Sequence, residues 1–144
     1  YEISDSAKSK IDSISFTGLF HFNLIPIDTH YIVVKHHNSI EVWSKTGGVP
    51  FTNSNTISYD FTNSALQAYG NNIVQKGTKF CLYSGNLNQD GIIDASDISI
   101  VENDKTAGLS GYVPSDINGD YFVDASDLSI VDNNKDLGIL VIRP

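Results

Sequence analysis

Methionine is absent from this 144-residue chain, cysteine occurs once, and no apolar run approaches the roughly 18 residues a membrane-spanning helix needs. The lone Cys81 has no partner for an internal disulfide, so a disulfide-stapled scaffold and a Cys-rich zinc module are both excluded. Basic residues are scarce as well: nine Lys and Arg stand against seventeen Asp and Glu, for a formal charge of -8. Binding to a nucleic-acid backbone needs a basic face that releases counterions, so nucleic acid is not expected and cations are. The chain starts at Tyr1 with no basic-then-apolar leader, which predicts a mature or excised piece of a longer protein.

The charge that is present is unevenly placed. Residues 1–85 carry four Asp, two Glu and six Lys and are neutral, whereas residues 86–144 carry ten Asp, one Glu, two Lys and one Arg, hence all of the net charge. So sharp a change near Ser84 and Gly85 predicts two modules, 1–85 and 86–144.

The first module reads as strands. Apolar and polar residues alternate through Ile11, Ile14, Phe16, Leu19, Phe20 and Phe22, and β-branched or aromatic residues dominate 31–34, 40–43, 57–61 and 80–83. Turn residues fall between them at Pro26 with Asp28, His37–Asn38–Ser39, Gly47–Gly48, Asn53–Ser54–Asn55, Gly70–Asn71–Asn72 and Lys76–Gly77, and residues 64–69 suit one helical turn. Short strands and frequent turns predict an immunoglobulin-like β-sandwich, at the lower edge of its size range and so short of an edge strand or completed by another chain. In such a strand reading Cys81 is a buried small hydrophobe, and His36 and His37 point to opposite faces.

The second module repeats itself. A shift of 30 residues aligns 86–108 with 116–138, and 12 of the 23 positions are identical. Each copy is an acidic loop followed by an amphipathic stretch, Ile98-Ser99-Ile100-Val101 or Leu128-Ser129-Ile130-Val131, so each reads as a loop running into a short helix. A calcium loop of the EF-hand kind places oxygen ligands at positions 1, 3, 5, 7, 9 and 12, position 7 through its backbone carbonyl. Those positions are Asn86, Asn88, Asp90, Ile92, Asp94 and Asp97 in one copy and Asp116, Asn118, Asp120, Phe122, Asp124 and Asp127 in the other. An Asp/Asn-rich loop is ordinarily a solvated turn, but the spacing is met twice, and it predicts two bound Ca2+.

The loops differ at position 6, Gly91 in one and Tyr121 in the other, where a left-handed turn costs a Tyr on the order of 1–2 kcal/mol. Strain disfavours the second loop while its fourth carboxylate favours it. Position 8, Ile93 or Val123, is expected to pair the two loops across an apolar seam. The segments before the loops contain Gly and Pro, so no helix enters either one.

This tandem, with Asn-x-Asn-x-Asp-Gly-Ile-Ile-Asp-Ala-Ser-Asp in one copy and Asp-x-Asn-x-Asp-Tyr-Phe-Val-Asp-Ala-Ser-Asp in the other, resembles the dockerin type I family over residues 86–138. The resemblance implies two calcium ions, a small α module, an extracellular or cell-surface setting in a bacterium, and attachment to a cohesin-like protein. It implies partner contacts at loop positions 10 and 11, which are Ala95 and Ser96 here and Ala125 and Ser126 in the second repeat. Where family members often carry basic residues further along the helix, this chain has Glu102-Asn103 and Asp132-Asn133. The stretch from Tyr31 to Ser44 looks like the β-rich segment that precedes dockerin-like repeats in large secreted proteins of Bacteroidetes-type bacteria.

Other constellations are weaker. His21, His30, His36 and His37 lack acidic or cysteine partners at ligand spacing, and no nucleophile elbow, phosphate loop or zinc-protease helix is present, so no enzyme is expected. Trp43 with Tyr31, Tyr59 and Tyr69 offers a glycan platform as a minor alternative. The sequence thus predicts a mixed fold, sandwich plus calcium repeats, serving attachment; a calcium-stiffened spacer or a self-assembling subunit is the structural alternative.

Overall fold

The computed structural model describes residues 1–53 and 56–144; the turn expected at Ser54 and Asn55 lies outside the described residues. The fold is mixed α/β. Its strands, all short and antiparallel, are β1 (Thr29–His30), β2 (Val33–Val34), β3 (Val42–Trp43), β4 (Val49–Pro50), β5 (Val74–Lys76) and β6 (Lys79–Cys81), and its helices are α1 (Ala95–Thr106) and α2 (Ala125–Asp136). They pair as β1 with β4, β2 with β3 and β5 with β6, so the sheets among the described residues have two strands each.

The turn residues act as expected. His37 and Asn38 turn the chain between β2 and β3, Gly47 and Gly48 take positive φ before β4, and Gly77 does so between β5 and β6. Ser64 caps a short 3-10 turn, Ala65–Gln67, through its side chain.

Residues 11–22 depart from expectation. They form no strand; Asp12 instead accepts N–H bonds from Ile14 and Ser15 and closes a tight loop, and Ile14 is 88% exposed. Alternation defines two faces only where a neighbouring strand takes up the backbone bonds, and among the described residues no strand pairs with this stretch. Residues 57–61 likewise carry no strand. Cys81 is exposed rather than buried, because Phe80 takes the inward place on β6. The strand ends at Val34, so alternation no longer separates His36 and His37, whose rings lie 4.2 Å apart.

Each helix starts with a capping box. Asp94 and Asp124 are the N-caps, and Asp97 and Asp127 reach back to the cap N–H, which satisfies donors the first turn would otherwise leave bare. Both helices end at a glycine in the left-handed region, Gly108 or Gly138. No helix enters either loop.

The core ignores the charge boundary. Ile40, Val42, Ala68 and Ile73 from the neutral region form one buried cluster with Ile93, Val101, Val123 and Val131 from the acidic region. Ile98 and Leu128 pack against it from the two helices. At roughly 25 cal/mol per Å2 of apolar surface, each buried Val or Ile contributes about 1.5–3 kcal/mol, so the regions stabilise one another.

Candidate metal centres

The two loops share the hydrogen bonds of positions 3, 5, 9 and 12. In the first, Asp90 N–H donates to Asn88 Oδ1 at 3.0 Å and Ile92 N–H to Asp90 Oδ1 at 2.9 Å. In the second, Asp120 N–H donates to Asn118 Oδ1 at 2.8 Å and Phe122 N–H to Asp120 Oδ1 at 2.9 Å. The amide of Asn88 or Asn118 bridges Asp90 and Ser96, or Asp120 and Ser126. These bonds join positions 3 and 5 of each loop to one another and to the serine at position 11.

Position 12 closes the loop. Asp97 is fully buried and accepts N–H bonds from Leu87, Asn88 and Asp94; Asp127 does the same for Ile117, Asn118 and Asp124. Each carboxylate ties the start of its loop to its end, and about one of its four acceptor sites is left over.

Position 9 also serves twice. Asp94 and Asp124 accept from the N–H and hydroxyl of Ser96 and Ser126, and these serine bonds, the hydroxyl first, hold both carboxyls below their ordinary value of 3.8. Lys105 adds a weaker pull on Asp124. Ala95, Ser96, Ala125 and Ser126 stand exposed at the helix starts, with both serine hydroxyls engaged inside their loops.

The loops do not pair with each other across Ile93 and Val123. Each pairs instead with the segment that follows the other repeat's helix. Ile93 N–H donates to the Ile139 carbonyl and Val141 N–H to the Gly91 carbonyl; in the second copy, Val123 N–H donates to Leu109 and Gly111 N–H to Tyr121. These bonds flank the Ile92–Leu140 and Ser110–Phe122 bridges. In such a non-hydrogen-bonded pair, a residue's own N–H and C=O face away from its partner. The carbonyls of Ile92 and Phe122 therefore lie on the side of Asp90 and Asp120, to which their own N–H groups donate. A calcium loop needs its position 7 carbonyl on that side.

Position 1 separates the copies. Asp116 accepts from the backbone N–H groups of Gly119, Asp120 and Tyr121, so the second loop closes on its own carboxylate. Asn86 is 2% exposed and its side-chain oxygen has no hydrogen-bond partner among the described residues, while Gln89 donates to the Asn86 carbonyl. A buried acceptor without a donor costs about 1–3 kcal/mol, and a cation in the loop would relieve it. The donor set of Asn, Asp and backbone oxygens suits a hard cation, and the residues fit calcium in kind. No group of three or more His, Cys, Asp or Glu side chains gathers into a metal cluster among the described residues. The loops differ from such a cluster in drawing on Asn and backbone oxygens and in engaging Asp97, Asp127 and Asp116 with amides.

Sequence reasoning missed Gln89, Asn72, whose side-chain N–H donates to the Leu140 carbonyl, and the pairing of the two tails, 109–111 and 139–141, with the loops; it offered 139–142 only as a stretch that could dock the repeats on the first region. Only the glycine before each tail, Gly108 or Gly138, signals a chain reversal there. Tyr31 meets both Trp43 and Tyr69 edge to face, and the Trp43 indole N–H donates to Glu41. No helix among the described residues is long and apolar enough to cross a membrane. Comparison with protein-family models, curated proteins and solved structures finds no match to this chain.

Proposed function

We propose that each loop holds one calcium ion and that the chain is a non-catalytic attachment module of the dockerin kind, acting outside the cell on a cohesin-like protein partner. The observation that carries the reading is the buried Asn86 oxygen, without a hydrogen-bond partner among the described residues, at position 1 of a loop whose other five ligand positions match calcium spacing. A divalent ion supplies the positive charge that ten Asp in 59 residues lack. The chain's own part is to hold Asn88, Asp90 and Asp94, or Asn118, Asp120 and Asp124, in one hydrogen-bonded set with the serine at position 11, and to keep Ala95, Ser96, Ala125 and Ser126 exposed for a partner. We read the first region as a β-rich, immunoglobulin-like unit; its antiparallel strand pairs support that reading.

Calorimetry on metal-stripped protein tests it. Two ions bound, with a melting temperature that rises by ten degrees or more on saturation (on the order of RT ln([L]/Kd) in stability), is the expected outcome. No binding at millimolar calcium sinks the proposal. The alternative of a calcium-stiffened spacer or self-assembling subunit draws support from the core shared by the two regions. Recovery of a cohesin-like protein from the source's secreted proteins favours attachment, whereas calcium-dependent self-association favours the alternative.

A further inference from the structure

We propose that Asn72 is a positioning residue for the first calcium loop, acting through the 139–141 tail, so that ion binding in this loop alone is coupled to docking of residues 1–85. The proposal rests on the calcium reading above and adds an asymmetry that the repeat does not contain.

The tail is a two-faced strap. One face pairs with the loop and fixes on which side the Ile92 carbonyl lies, through the Ile93–Ile139 and Val141–Gly91 bonds of 3.0 and 2.8 Å. The other face is held by the first region. Leu140, the residue opposite Ile92, turns its carbonyl away from the loop and accepts from Asn72 Nδ2 at 3.0 Å; Asn72 is buried. Ile142 lies so close to Gly70 that a Cβ there would meet Ile142 Cγ2 at 2.7 Å. Arg143 donates to Glu41 at 3.0 Å. The start of the loop is anchored to the same region, with Gly85 N–H donating to the Asn38 carbonyl at 2.6 Å and Asn134 bonding Ser84.

The second loop has the same pairing and a different support. Its tail, 109–111, belongs to the adjoining stretch of chain, and among the described residues no side chain of the first region donates to the Ser110 carbonyl. That neighbourhood meets the first region through apolar packing, with Val123 in the shared core, and through a ring approach of 5.0 Å between Tyr112, which is exposed, and His37. A change at Asn72 should therefore reach one calcium carbonyl and not the other.

The test uses the full chain in two backgrounds, Asp120→Ala, which leaves the first loop competent, and Asp90→Ala, which leaves the second. Adding Asn72→Ala should weaken calcium about 5-fold or more in the first background and change it by less than about 2-fold in the second. Gly70→Ala reaches the same tail at another residue and should show the same selectivity. Arg143→Ala, a surface change that leaves the core intact, should act in the same direction by a smaller factor. Hydrogen exchange adds an independent readout: calcium should slow exchange at Asn72 and Ile73 in the Asp120→Ala chain and leave it unchanged in the Asp90→Ala chain. Equal weakening of both loops, or of neither, overturns the positioning role while leaving calcium binding in place. Failure of the unsubstituted chain to bind calcium overturns the calcium reading, and the positioning role with it.

Discussion

The two acidic loops share the hydrogen bonds of positions 3, 5, 9 and 12, their caps and their helices, yet one is closed by its own side chains and the other is left open at its first position. Asp116 takes three backbone N–H groups of its loop, whereas Asn86 offers an oxygen that no donor among the described residues meets. A carboxylate can organise a loop without an ion; an amide oxygen in the same place accepts fewer bonds and leaves the loop to be completed. The supports differ in the opposite sense, since the tail paired with the open loop is held by a side chain of the neutral region, whereas the tail paired with the closed loop is the segment that follows the first repeat's helix. A near-identical pattern thus yields one site that is organised locally and one that is organised by the rest of the molecule.

The comparison breaks most readily at position 12. Asp97→Ala and Asp127→Ala each leave three backbone N–H groups without their acceptor inside the protein, which should cost about 3–5 kcal/mol in chelator. Thermal melts of the two variants should agree to within about 1 kcal/mol, because the bonds lost are the same. A much larger loss from Asp97→Ala would mean that the first loop also carries the docking of the neutral region. A small loss from either would mean that water replaces the carboxylate, and that position 12 is freer to serve an ion than its burial implies.

The repeats were legible in the sequence because their elements are decided locally. A capping Asp, an N3 Asp, a short apolar stripe and a terminal glycine all lie within about twenty residues, and each acts on its immediate neighbours. The neutral region was legible only in part. The turns at His37–Asn38 and Gly47–Gly48 depend on the residues themselves, but whether 11–22 becomes a strand depends on a partner that alternation cannot name. The same limit hid the tails: Ile92 and Leu140 are far apart in sequence, and nothing in Leu109-Ser110-Gly111 or Ile139-Leu140-Val141 marks them as mates of a loop. Cys81 was misplaced because alternation does not say which face of β6 is inward, and the His36–His37 pair because β2 ends at Val34 before alternation reaches it.

Backbone strain sharpens the comparison next. The sequence assigns it to Tyr121, at φ 73, opposite the unstrained Gly91, at φ 95. The structure balances the ledger two positions earlier, where the first loop has Gln89 at φ 60 and the second has Gly119 at φ 80. Each loop therefore holds one glycine and one side-chain-bearing residue in the left-handed region. Gly91→Ala should cost about 1–2 kcal/mol, since the new Cβ is both strained and 3.0 Å from Val141 Cγ1. Tyr121→Gly and Gln89→Gly should each change stability by less than about 1 kcal/mol, relief of strain being offset by the freer unfolded chain. Equal responses from the two glycine variants would show that strain does not rank the loops; a rise from Tyr121→Gly alone would restore it as the distinction.

The smallest expected effect lies in acid. Asp94 and Asp124 have folded values lowered below 3.8, first by the serine hydroxyls of Ser96 and Ser126 and then by the serine N–H groups. A carboxyl whose folded value is depressed contributes stability that is full above its unfolded value and is lost as pH falls through the folded one. In chelator, Ser96→Ala and Ser126→Ala should therefore melt lower than the unsubstituted chain near about pH 6, and the gap should narrow as the pH falls well below about 4. A gap that stayed constant into acid would assign the serines' contribution to neutral hydrogen bonding instead. Beyond the serines, the Asp97 N–H assists Asp94 and the Lys105 charge assists Asp124, so each variant should retain some of the acid dependence. The part that Lys105 supplies should fade at about 1 M salt, where the Debye length shrinks to about 3 Å, while the part that the Asp97 N–H supplies should persist.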